Sequence, residues 1–183
     1  PIVTLNEQLS PMYFECRIDP PETSAEYREC RDLFLAGDIH GARHLAQLRR
    51  PLGGPIIPQD AALCADISRA SGAVFEYFAT VQLAIKRWPS DWLTRVLWAR
   101  VVCTRGNILK SISQCEELLA ECPASEKAFV YSMLASNSAS ADLAESAKRY
   151  TDSAQAASGS RGPHLWYELA YTANRLRDWD RAI

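Results

Sequence analysis

An all-α fold of stacked antiparallel helix pairs is what this sequence predicts, on three observations. Gly37, Gly72 and Gly106 recur 35 and 34 residues apart, each with an apolar residue two positions on, in AGDI, SGAV and RGNI. Pro89 and Pro123 recur 34 residues apart, each closing one helical stretch (IKRWP, AECP) and preceding another. Between these markers apolar residues return every three or four positions, as in Trp92, Val96, Ala99 and Val102 or Ile108, Ile112, Cys115 and Leu118. That is the period of an amphipathic helix. Each period breaks twice, at its glycine and near a proline or small polar cluster, so it holds two helices. The tail LRDWDRAI repeats the pattern, with Trp179 where Ile39, Val74 and Ile108 stand. The turn-rich stretches RPLGGPIIP (50–58) and SGSRGP (158–163) read as linkers.

With these spacings the chain resembles the tetratricopeptide repeat, a 34-residue helix-turn-helix unit. Five degenerate units are expected. The first, 23–57, matches at Cys30, Leu33, Gly37, Ile39 and Ala42, while Glu26 and Glu29 stand where large apolar residues are usual, as suits a terminal cap. The second, 58–91, matches at Ala65, Gly72, Val74, Ala84 and Pro89, with Tyr77 in place of a small residue. The third, 92–127, matches at Trp98, Ala99, Val102, Gly106, Ile108, Ser111 and Pro123. The fourth, 128–162, matches at Leu134, Ala135, Ala147 and Ala154 and carries Asp142 in place of a glycine. The last, 163–183, matches at Trp166, Leu169, Ala170, Trp179 and Ala182, and Ile183 is expected to fall early in its second helix. Residues 1–22 lack the period and read as a lead-in ending at Pro20-Pro21.

The resemblance implies a right-handed α-α superhelix, a solenoid whose hairpins lean on one another through Ala65, Ala99, Ala135 and Ala170. It also implies a concave face lined by the first helix of each unit. The residues expected there are Tyr27, Arg28, Arg31, Asp66, Arg69, Arg100, Thr104, Ser132, Ser136, Tyr167, Tyr171 and Asn174. Arginine forks and tyrosine rings suit an acidic peptide or a free C-terminus. The same residue types equally suit solvated faces and intramolecular ion pairs. The chaperone-tail subtype of the family uses Lys and Asn on successive first helices, but here Tyr27 with Arg31, Leu63, and Leu93 with Leu97 occupy those places.

The function expected is a non-catalytic scaffold for a protein or peptide partner. The other reading is a regulatory or substrate-presenting arm of a larger enzyme. A third, self-association, follows from apolar Trp166, Leu169 and Trp179 in an unfinished last unit. No cofactor is expected. Nucleophilic catalysis has only His40, His44 and His164 to draw on, and no Gly-x-Ser-x-Gly turn accompanies a serine. His40 and His44 share a helical face but lack further zinc ligands, so they read as a polar surface. Gly53-Gly54 lacks the lysine and hydroxyl of a phosphate loop.

Twenty Lys and Arg against 22 Asp and Glu leave a formal charge of -2, which gives no pull toward nucleic acid or anionic membrane. The five tryptophans read as core more than as base-stacking platforms. Apolar runs are too short for a membrane span, and no secretory pattern opens the chain. Six cysteines without a Cys-x-x-Cys pair read as reduced, and a cytoplasmic setting is expected. Cys115 and Cys122, seven apart, are expected to pack on one helical face instead of bridging.

Overall fold

The computed structural model describes residues 25–49, 57–157 and 163–177. Among them are nine α-helices and no strand. They are α1 (Ala25–Leu35), α2 (Ile39–Arg49), α3 (Pro58–Ala70), α4 (Val74–Arg87), α5 (Trp92–Thr104), α6 (Ile108–Glu121), α7 (Lys127–Ser140), α8 (Ala144–Ala156) and α9 (Pro163–Leu176). The lead-in 1–22, most of both linkers, and the tail from 178 with Trp179 and Ala182 lie outside the described residues.

The period is written into the backbone. Gly37, Gly72, Gly106, Asp142 and Arg177 all take positive φ, at 85°, 73°, 86°, 58° and 58°, and they follow one another at 35, 34, 36 and 35 residues. At four of them the helix end is closed the same way. The amide of the left-handed residue donates three residues back, and the next amide donates five back: Gly37 to Phe34 and Asp38 to Leu33, Gly72 to Arg69 and Ala73 to Ser68, Gly106 to Cys103 and Asn107 to Val102, Asp142 to Ala139 and Leu143 to Ser138. This pairing is a Schellman cap, and it satisfies carbonyls that the helix itself leaves open. The next residue then turns sharply: Ala73, Asn107 and Leu143 hold φ/ψ of -81/65°, -93/64° and -91/67°, the inverse γ-turn region, and the second helix starts at once. The glycine at Gly106 has open space where a Cβ would go, so glycine is there for its backbone freedom.

Other boundaries follow from local chemistry. Pro58 and Pro163 open α3 and α9, where a missing amide hydrogen costs nothing. Asp91 caps α5, its carboxylate accepting from the amide and hydroxyl of Thr94 at 2.9 and 3.0 Å. Pro89 and Pro123 lie two residues beyond the ends of α4 and α6, which they cannot continue. After Pro123 a short 3-10 turn, Ala124–Glu126, leads into α7.

The residues fall into two compact units, one within Thr4–Trp98 and the other within Ala99–Ile183, so the boundary lies inside α5. In the first, α1 packs on α2, α3 on α4, and α3 on both α1 and α2. Its core gathers Tyr27, Cys30, Phe34, Ala42, Ala46, Leu63 and Ile67. In the second, α7 packs on α6, α8 and α9, with Ala128, Ala154 and Leu169 forming one of its apolar clusters.

Small residues hold each pair close. Seven positions before the left-handed residue stand Cys30, Ala65, Ala99 and Ala135, all fully buried, and Ala170, half-buried. Five positions after it stand Ala42, Ser111 and Ala147, also fully buried. Two of these sites meet directly: the Cys30 thiol lies 3.3 Å from the Ala42 carbonyl oxygen, and the Ser111 hydroxyl donates to the Ala99 carbonyl at 2.8 Å. Such approach requires side chains no larger than these. Tyr77, the exception at the second site, is nonetheless buried on α4, which packs on α3.

Sequence-based expectations about packing are met at particular residues. Glu26 and Glu29 are exposed on α1. Cys115 and Cys122 are buried free thiols as expected, but Cys122 lies just past the end of α6 in extended backbone, so the two do not share a helical face. Trp88, Trp92 and Trp98, expected in the core, are only half-buried. Leu169, expected to lack cover, is instead buried against Ala128 and Ala154, because α9 packs on both α7 and α8.

Candidate functional site

The residues expected on the inner face separate into those the fold encloses and those it leaves open. In the first unit Tyr27 is 3% exposed and sits in the core with Cys30, Phe34 and Leu63, since an aromatic of that size fills the space between α1 and its neighbours. Asp66 is also buried, with Arg69 Nη2 3.6 Å from its carboxylate. Arg31 turns both Nε and Nη2 onto Asp32, at 3.1 and 2.9 Å. Arg28 is exposed.

In the second unit Ser132 and Ser136 are buried, and their hydroxyls donate to the carbonyls of Phe129 and Met133 one turn back. A short hydroxyl satisfied within its own helix can be enclosed at little cost, which is why these two disappear from the surface. Thr104 is exposed and donates to the Arg100 carbonyl at 2.9 Å. Tyr171 is 38% exposed, and its hydroxyl meets that of Ser140 at 3.2 Å, joining α9 to α7. Asn174 is exposed one turn further along α9. The side chain of Tyr167 lies outside the described residues.

Arg100 is the residue whose surroundings differ most from expectation. Its Nη2 donates to Glu168 Oε1 at 2.7 Å, across 68 residues of sequence, with only 15% and 11% of the two side chains exposed. The helices involved are α5 and α9. Between them runs α7, which bonds to α5 through Cys103 and Asn137 and packs on α9. The guanidinium predicted to receive a partner's carboxylate therefore already holds one from its own chain. Arg31 and Arg69 likewise face Asp32 and Asp66, so the basic character read from the sequence is largely neutralised internally.

A hydrogen-bonded chain that sequence reasoning missed lies beside this pair. The Cys103 thiol donates to Asn137 Oδ1 at 3.1 Å, Asn137 Nδ2 donates to the Ser111 hydroxyl at 3.0 Å, and Ser111 donates on to the Ala99 carbonyl. It ties α5, α6 and α7 together, and each link uses a residue that reads singly as an unremarkable helical position. Burial pushes the Cys103 thiol up, with Arg100 pulling it down and Glu168 adding a smaller upward push. Burial lifts Cys115 to about 12, and Cys122 is raised for the same reason. Thiols held this way stay protonated at neutral pH and serve packing.

The second helices are linked separately within each unit. Arg43 Nη2 donates to Glu76 Oε1 at 3.0 Å between α2 and α4, and the Tyr150 hydroxyl donates to Glu116 between α8 and α6. Tyr150 also stacks on Tyr131, ring centroids 6.4 Å apart. His40 and His44 are exposed on α2.

A scan against protein-family models finds no match, and a search of curated proteins finds none either. The fold and the side-chain geometry therefore carry the functional reading.

Proposed function

We propose that this chain is a non-catalytic scaffold that holds a segment of another protein, its helix pairs stacked as tetratricopeptide-like units in a right-handed superhelix. The observation that carries this reading is the run of five left-handed residues at 34- to 36-residue intervals, four of them closing a helix with the same pair of hydrogen bonds. Repetition at that interval is how a chain builds an extended surface from hairpins that cannot bury enough apolar area singly. The open positions of the first helices in the second unit, Thr104, Tyr171 and Asn174, offer uncharged donors and acceptors. They suit a polar peptide whose backbone and carboxylates are read by hydrogen bonds.

A photo-crosslinking residue placed in turn at Asn174 on α9 and at Gln82 or Glu117 on the second helices tests this. The reading requires a protein partner trapped from the Asn174 site and lost with Tyr171→Ala. Trapping confined to Gln82 and Glu117 would overturn it.

A further inference from the structure

We propose that Glu168 is a self-ligand: its carboxylate occupies Arg100 and latches α9 across α7, so that a carboxylate brought by a partner must displace it to use this face. The inference deepens the scaffold reading and rests on it for the partner, whereas the latch itself stands on geometry.

Arg100, Ser136 and Tyr171 share one register, six residues before the left-handed residue of their hairpins. Ser132 lies one turn before Ser136, and Glu168 nearly one turn before Tyr171. The Arg100–Glu168 pair joins α5 to α9, and α7, which carries Ser132 and Ser136, meets both of these helices. Both serines are short, and both are buried although they stand on the face that the register turns toward Arg100 and Tyr171. Small residues in the middle helix and long charged residues on its two flanks are what a bridge over a helix demands.

The bond itself is short and charge-assisted, at 2.7 Å, and only one-sixth or less of either side chain is exposed. Water therefore competes with it weakly. A guanidinium has no acceptor and cannot lose its charge, so whatever leaves must be replaced by another anion or by water. The neighbouring Cys103 thiol feels both charges, which places all three groups within one electrostatic neighbourhood. Next to the latch the Ser140–Tyr171 pair stays on the surface, leaving a polar edge where an incoming carboxylate first makes contact.

Chemical rescue decides the matter, read by amide hydrogen exchange along α9 in the full chain. Glu168→Ala is expected to speed exchange in α9 about tenfold while leaving α1 and α2 unchanged. Excess propionate should restore the slow rate, and sodium chloride at equal ionic strength should not. Arg100→Ala combined with Glu168→Ala should be fast with or without propionate. Glu168→Gln, which keeps the shape and a hydrogen-bonding carbonyl, should give an intermediate rate and shows that the response is not unfolding. Unchanged α9 exchange in Glu168→Ala would overturn the latch. A rise that propionate fails to reverse would overturn Arg100 as a carboxylate receptor. Rescue succeeds or fails whether or not a partner is trapped at Asn174, so the two readings fall separately.

Discussion

The hydroxyl of Ser111 donates to the carbonyl of Ala99 at 2.8 Å, fixing the two helices of the α5–α6 hairpin at the distance of a serine side chain. The same hydroxyl accepts from Asn137 on α7, so one small residue sets both the hairpin and its contact with the next helix. Ser111→Ala removes both bonds and leaves a buried amide donor unpaired. A loss of about 2 kcal/mol is expected from chemical denaturation, and Ser111→Leu should cost more, since the site is fully enclosed.

The left-handed turns respond to substitution in opposite directions. Gly106→Ala has room for its methyl group but must hold φ near 86°, and a loss of about 1 kcal/mol is expected. Asp142→Gly and Arg177→Gly relieve the same strain and should raise the denaturation midpoint, by about 0.5 kcal/mol each once the greater freedom of unfolded glycine is counted.

Alkaline pH weakens the fold through its thiols. Burial raises the Cys103, Cys115 and Cys122 thiols above their ordinary 9.0, Cys115 to about 12. Above pH 9 the unfolded chain releases these protons while the folded chain keeps them, so the unfolded state gains. The stabilisation is complete below pH 9 and drains as pH climbs toward 12, by about 1.4 kcal/mol per pH unit for Cys115 alone. Denaturant midpoints across this range should fall steeply for the native chain and less steeply for Cys115→Ala.

Breaking the ion pair from its cationic side should be costly. Arg100→Ala removes a 2.7 Å charge-assisted bond from a Glu168 side chain only 11% exposed, and a loss of about 2 kcal/mol is expected by denaturation. Arg31→Ala breaks a pair whose Asp32 side chain is 65% exposed and should change stability by less than about 0.5 kcal/mol.

The helix pairs were legible because glycine and proline announce them. Gly37, Gly72 and Gly106 mark the left-handed turns outright, and Asp142 keeps the register because a short polar side chain tolerates that conformation. Arg177 carries no such signal and is found only by counting from its predecessors. The open face was less legible. Which side of a first helix is enclosed depends on its neighbours, so Tyr27, Ser132 and Ser136 read as surface and are interior. The partner of Arg100 lies 68 residues away on α9, a distance at which no local pattern speaks.

Whether the chain is built from interchangeable units is tested by duplicating 92–127 in frame and measuring urea denaturation. A stack of repeats accepts one more neighbour, so the account predicts a cooperative transition at a higher midpoint with a larger dependence on urea. A duplicated chain that unfolds at lower urea, or without a cooperative transition, would contradict it.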